Sequence, residues 1–176
     1  MLPPNPNKAL SFEHANLRSL YLAGGCFWGV DAYMARVPGV YATESGYANG
    51  FAPGPVSYEE VCTETRGHAE AVYLQYDPTQ VSLSTLLDAF FSVINPTTLN
   101  RQAGDIGTRY RTGIYTTLET TAADMAVIYE KLAQLQARHD QPIVTELTHL
   151  RNYHPAEDYH QNYLEKNPNG YCHISF

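Results

Sequence analysis

The chain has 176 residues, 44% of them apolar and 12% aromatic, enough to bury one substantial core without disulfides or metals. Lys and Arg total 11 against 18 Asp and Glu, and the net charge of -7 disfavours nucleic acid and anionic membranes as partners, since no local basic patch offsets it. Three cysteines, Cys26, Cys62 and Cys172, are too few and too widely spaced for a disulfide scaffold, and no Cys/His cluster suggests structural zinc.

Residues 1–16 open with a Pro- and Asn-rich run and read as an N-terminal extension. They show no basic-then-apolar leader, and no apolar run nears membrane-spanning length, so a cytoplasmic protein is expected. From residue 17 to 176 we expect a single catalytic domain. Leu17 to Ala23 has the apolar content of a first strand. Gly24-Gly25 permits a sharp exit from it, and Phe27 to Arg36 reads as a helix stopped by the turn at Pro38-Gly39. Cys26 therefore falls at a strand-to-helix junction. Val40 to Tyr47 is a second strand, followed by a long connection, Ala48 to Gly67, that includes Pro53-Gly54-Pro55. Ala69 to Tyr76 reads as a strand ended by Asp77-Pro78, and Ser82 caps a helix burying Leu83, Leu86, Leu87, Phe90, Phe91 and Ile94. A second long loop leads to Tyr110, then a strand at Thr112 to Thr116 and a helix with Met125, Ile128, Tyr129, Leu132 and Leu135 on one face. A strand near Val144 to Leu147 and a polar helix, Ala156 to Lys166, precede a loop-like tail that carries Cys172. The order β-α-β, β-α-β predicts an α+β fold: a two-layer sandwich with a ferredoxin-like split βαβ core and long functional loops.

A cysteine at the start of a helix meets the positive end of the backbone dipole, which lowers its pKa and favours the thiolate. Position alone leaves open whether Cys26 is that or a small buried hydrophobe. Phe27 and Trp28, the single tryptophan, follow it directly and are able to wall a pocket for a small apolar group such as a methyl on sulfur; the alternative is that both rings pack the helix on the sheet. If such a thiol were to take an oxygen from a substrate, for instance a sulfoxide, the oxygen would also require a proton. Glu70, opening the apolar strand Ala71 to Tyr76, is the carboxylate most open to desolvation and so to staying protonated near neutrality, unless it is an exposed strand end. Tyr58 and Tyr110 are further hydrogen-bond donors, among 14 tyrosines. A second thiol would condense with an oxidised Cys26; Cys172, on its Gly- and Pro-containing tail, is the candidate, and Cys62 reads as a buried bystander. His154 and His160 are six apart and do not share a helical face, which argues against a metal site.

Gly25-Cys-Phe-Trp-Gly29, Gly46-Tyr-Ala-Asn-Gly50, Tyr58-Glu-Glu-Val-Cys62, Gly67-His-Ala-Glu-Ala-Val72, Gly107-Thr-Arg-Tyr110 and Asn167-Pro-Asn-Gly-Tyr-Cys172 resemble, in order, the motifs of the A-type peptide methionine sulfoxide reductases. The resemblance covers the chain from about residue 17. It implies Cys26 as nucleophile, Phe27 and Trp28 as the methyl pocket, Glu70 as proton donor, and Tyr58, Asp105 and Tyr110 as the groups orienting the sulfoxide. It implies action on the S epimer of free and protein-bound methionine sulfoxide, a Cys26 sulfenic acid, a disulfide with Cys172, and recycling by thioredoxin, with no cofactor. A monomer is expected. Asn49 stands where the family usually has glycine, and Asn tolerates the left-handed conformation this needs. No cysteine follows Cys172, so no onward thiol relay is expected. Two other readings stay open on the residues alone: a thiol hydrolase pairing Cys26 with His68, and a non-catalytic module binding methionine-rich peptides through Phe27, Trp28 and the tyrosines.

Overall fold

A computed structural model describes residues 2–51 and 54–176; Met1, and Ala52 and Pro53 of the first long connection, lie outside the described residues. Six strands form one sheet in the order β7-β6-β1-β3-β2-β8: β1 (Arg18–Gly24), β2 (Val40–Ala48), β3 (Ala69–Tyr76), β6 (Thr112–Thr116), β7 (Glu146–His149) and β8 (Tyr153–Pro155). All neighbours are antiparallel except β6 and β7. The remaining strands, β4 (Arg101–Gln102) and β5 (Asp105–Ile106), make a small separate hairpin. Helices α1 (Phe27–Met34), α3 (Leu83–Val93) and α4 (Ala122–Ala137) pack on one face. Two short helices, α2 (Tyr58–Cys62) and α5 (Tyr163–Lys166), sit in the connections.

Strand alternation divides the sheet's two faces. Leu20 and Leu22 of β1, Val72 and Leu74 of β3 and Ile114 of β6 meet Phe27, Val30 and Met34 of α1, Leu86, Leu87 and Phe90 of α3, and Ile128 of α4. The opposite face carries Ala23, Ala48, Ala69, Ala71 and Tyr115 beneath Tyr21 and Tyr153. Register then places the chemistry. Leu22 pairs with Val72, and Tyr47 pairs with Glu70, so Glu70 lies on the helix face two residues beyond Val72, beside the point where β1 gives way to α1.

The strand Ala69–Tyr76 and the strand Thr112–Thr116 have the expected limits, and Ser82 caps α3 by accepting from the Thr85 amide. α1 ends at Met34, two residues short of Arg36, and the last β6 neighbour, β7, starts at Glu146 rather than Val144. The expected polar helix from Ala156 to Lys166 is corrected. Only Tyr163–Lys166 is helical, because Asn162 takes a left-handed conformation (φ 51) that no α-helix interior accommodates, and residues 158–162 turn instead. β8 was not expected; its Pro155 is tolerated because β8 is an edge strand. α2 was also unforeseen, although Ser57 and Glu60 form a reciprocal capping box at its start, a signal legible as Ser-x-x-Glu.

Candidate active site

Cys26 is the N-cap of α1, reached through Gly25 at φ +84. A Cβ on Gly25 would collide with Gln102 at 2.7 Å, so only glycine lets the chain turn under the β4–β5 hairpin here. Gln102 is itself fixed, accepting from the Asn95 amide at 2.8 Å and donating to the Asn95 carbonyl at 2.7 Å. Cys26 is 6% exposed. Its surroundings are the Glu70 and Asp105 carboxyls, Cys172 and the amide of Trp28. Burial pushes the thiol well above its ordinary value, and the nearby Glu70 pushes it the same way; the Trp28 amide opposes this and does not prevail. The expectation of a thiolate stabilised by the helix end is therefore corrected for the resting protein: desolvation outweighs one amide donor.

Glu70 is 2% exposed. One of its oxygens accepts the Phe27 amide at 3.1 Å, a helix N-terminal donor that would otherwise be orphaned. Burial raises its pKa to about 8, against the lowering effects of the Phe27 amide and Arg109. The carboxyl is thus mainly protonated at neutral pH. Tyr110, on a 3-10 turn at Thr108–Tyr110, is pushed up to about 12 by burial and by Glu70, with the Arg109 guanidinium 4.5 Å over its ring. Tyr58, at the start of α2, is also raised, by burial, by a hydrogen bond with Cys62 and, less, by the same Glu70. Both hydroxyls therefore stay protonated donors.

Phe27 turns inwards at 1% exposed, against Tyr47 and His160, whereas Trp28 is only partly buried and stacks on Tyr163 at 3.7 Å between ring centres. The Trp28 indole donates to His160 Nδ1 at 2.9 Å. His160, considered as a metal ligand, in fact links Trp28, Phe27 and Tyr58, whose ring meets it edge-on at 4.6 Å. No group of three metal-ligating side chains occurs among the described residues. Glu157 was missed by sequence reasoning. It accepts from the Tyr47 hydroxyl at 2.7 Å and from the Tyr58 amide at 2.8 Å, joining the sheet to α2. Asp105 sits on β5 with Oδ2 unpartnered. Cys172 packs against α1, where a Cβ on Gly29 would come within 3.0 Å of its sulfur. Gly29 lies one turn from Cys26. On its outer side, Cys172 lines an open recess of about 270 Å³ with Leu164, Pro168, Ile174 and Phe176. Cys26, Cys62 and Cys172 are all free thiols, and Cys62 is only partly buried.

His68 does not pair with Cys26. It is buried beneath Gly50 against His154, 5.9 Å between rings, and burial together with His154 lowers it to about 4. That removes the general base of the thiol-hydrolase reading. A separate cavity of about 300 Å³, lined by Arg18, Leu20, Ile114, Thr116 and Asp124 among others, contains none of the candidate residues. Asn49 is left-handed as expected (φ 56), its side chain accepting from the Arg151 amide at 2.7 Å.

The family model described as peptide methionine sulfoxide reductase matches residues 18–176. The chain belongs to that family. The peptide methionine sulfoxide reductase MsrA of Clostridium acetobutylicum is 51% identical over 158 residues, covering 90% of this chain and 95% of that protein. The MsrA of Mycoplasma genitalium is 48% identical over 160 residues, covering 91% and 99%. Among solved structures, Mxr1 from Saccharomyces cerevisiae in reduced form matches with a TM-score of 0.84 at 32% identity, over 96% of this chain and 97% of that one. Methionine sulfoxide reductase A of Corynebacterium diphtheriae matches at 0.79 and 35% identity, over 96% and 84%. The protein is accordingly a methionine sulfoxide reductase of the MsrA type, an oxidoreductase. The non-catalytic binding reading is set aside with it.

Proposed function

We propose that the reductase acts on the S epimer of methionine sulfoxide, free and in proteins, with Cys26 as nucleophile. The sulfur of Cys26 takes the sulfoxide oxygen, leaving methionine and a Cys26 sulfenic acid. Glu70 supplies the proton that makes the oxygen transferable, and Tyr58, Asp105 and Tyr110 orient it. Trp28 and Phe27 form the methyl pocket. Cys172 then condenses with the sulfenic acid to a disulfide, which thioredoxin reopens. One observation carries this reading: a carboxyl held protonated near neutrality is hydrogen-bonded to the residue next to a buried cysteine. A further support for thioredoxin is the Saccharomyces cerevisiae protein Mxr1, whose structure is solved in complex with Trx2.

Residues 17–176 act in this reading as one catalytic domain behind an extension at 1–16, working as a monomer in the cytoplasm. None of the described helices is long and apolar enough to cross a membrane. The order β6-β1-β3-β2, with β1 and β2 parallel either side of β3, supports describing the core as a ferredoxin-like split βαβ. Incubation with dithiothreitol and each epimer separately tests the function: methionine should form from the S epimer alone. Equal yield from both epimers would overturn the stereochemical assignment, and no yield from either would overturn the reaction.

A further inference from the structure

His173 follows the resolving cysteine, and the reaction above gives it no task. Its side chain is 2% exposed, and neither ring nitrogen makes a hydrogen bond of close, well-aligned geometry. Burying polar ring nitrogens without close partners is unfavourable, so the position demands an explanation. Two acceptors flank the ring. Nδ1 lies 3.8 Å from Asp105 Oδ2, which is likewise buried and unpartnered. Nε2 lies over Gly25, where a Cβ would come within 3.2 Å, and the Gly24 carbonyl is the acceptor on that side. Tyr171, on the other side of Cys172, also directs its hydroxyl to Asp105. Both neighbours of Cys172 thus converge on one carboxylate of the β4–β5 hairpin. The groups facing the imidazole are Asp105 from β5 and the Gly24 carbonyl from β1, with Gln102 of β4 beside it over Gly25.

We propose that His173 and Asp105 form a latch that holds the C-terminal tail on the site, the buried imidazole set between the Gly24 carbonyl and the Asp105 carboxylate, so that Cys172 is presented to oxidised Cys26. The latch rests on the reading of Cys26 and Cys172 given above. In the step it serves, the Cys172 sulfur attacks the Cys26 sulfur. An S–S bond forms, the S–O bond breaks, and the hydroxide leaves as water with the Cys172 thiol proton. The sulfenic acid is the oxidant and Cys172 the reductant, so no further reagent enters. His173 touches neither reacting atom in this scheme and is a positioning residue.

The test separates the two halves of the turnover. Full-length wild type, His173→Phe and His173→Gln are mixed with excess methionine S-sulfoxide and no reductant, and methionine, free thiols and dimedone-trapped Cys26 sulfenic acid are followed together. Relative to methionine formation, disulfide formation should slow at least tenfold in His173→Phe, with sulfenic acid accumulating. His173→Gln, which keeps an amide donor, should lose threefold or less. Asp105→Asn, nearly isosteric, should also accumulate sulfenic acid per methionine formed, and covers the case in which the Phe variant fails to fold. Disulfide formation within twofold of wild type in His173→Phe overturns the latch, as does equal slowing by Phe and Gln, which would mark simple packing. Absence of methionine from the wild type overturns the underlying reading instead.

Discussion

Replacing Glu70 by Gln removes the acid while keeping the shape and one acceptor oxygen for the Phe27 amide. With its pKa near 8, the wild-type carboxyl is about nine-tenths protonated at pH 7 and mostly ionised by pH 9. A positioned general acid typically contributes 10²–10⁴-fold. Gln still offers an N–H to the sulfoxide oxygen but cannot transfer a proton, so a loss of roughly 10²–10³-fold is expected, about 3–4 kcal/mol of barrier. The assay is quenched-flow formation of methionine in a single turnover without reductant, from pH 5 to 10. Wild type should lose rate as pH rises through about 8; the variant should be slow throughout and lack that alkaline limb. A variant rate within threefold of wild type, or an unchanged limb, would refute Glu70 as the acid.

The same substitution should raise stability. A carboxyl whose folded pKa lies above its unfolded value contributes most below about pH 4.5, and that contribution is lost as pH rises to about 8. At pH 8.5 Glu70→Gln should therefore melt higher than wild type, by up to about 5 kcal/mol in unfolding free energy, and at pH 4 the two should nearly coincide. Calorimetry at both pH values checks this. Cys26→Ser should abolish methionine formation, while Cys172→Ser should release one equivalent and stop; repeated turnover of the latter with thioredoxin would exclude Cys172 as the resolving thiol. Gly29→Ala would press a methyl within 3.0 Å of the Cys172 sulfur, so disulfide formation should slow several-fold although helix propensity improves. Asp124, paired with Arg18 and held at about 2 by it, also closes the α4 capping box with Thr121. Its stabilising effect is complete above its ordinary range and lost as pH falls through about 2. Asp124→Asn should cost about 1–2 kcal/mol at pH 7 in a urea melt, and less at pH 2.

Much of the fold was legible because its signals are local. The apolar strand Ala69–Tyr76, the Ser82 cap and the glycine pair before Cys26 each depend on neighbours in sequence. The burial of Glu70 was legible to the same extent, because apolar residues follow it in β3. What failed was non-local. Glu157 ties Tyr47 to Tyr58 across about 110 and 99 residues of separation, and no local pattern announces such a bond. The Ala156–Lys166 segment had helical composition, yet Ala156, His160 and Leu164 are buried by tertiary contacts that favour a turn with Asn162 left-handed. The pKa of Cys26 was misjudged for a related reason. Position at a helix start is visible in sequence, whereas the depth of burial is a property of everything packed over it.

That correction bears on how the site works. Burial keeps both groups protonated, Glu70 makes Cys26 harder still to ionise and Asp105 does the same to Glu70, so the resting pair is neutral and carries two protons. Oxygen transfer from sulfoxide to thiol needs no net proton: the substrate gives up O, and the products are a sulfide and an S–OH. If Glu70 protonates the oxygen and recovers the proton from the Cys26 thiol, it ends as it began. A preformed thiolate would gain nucleophilicity at the cost of an unpaired buried charge beside a carboxyl. A neutral pair avoids that cost, and in the proposed reaction the thiol becomes nucleophilic only as the sulfoxide oxygen takes the Glu70 proton and leaves a base nearby. The Cys26 thiol in free enzyme should then resist alkylation at pH 7 far more than an exposed cysteine, and Glu70→Gln, which removes the opposing negative charge, should lower its pKa. Iodoacetamide modification rates against pH measure both, and a Cys26 that reacts as a thiolate at neutral pH in the free wild type would contradict this account.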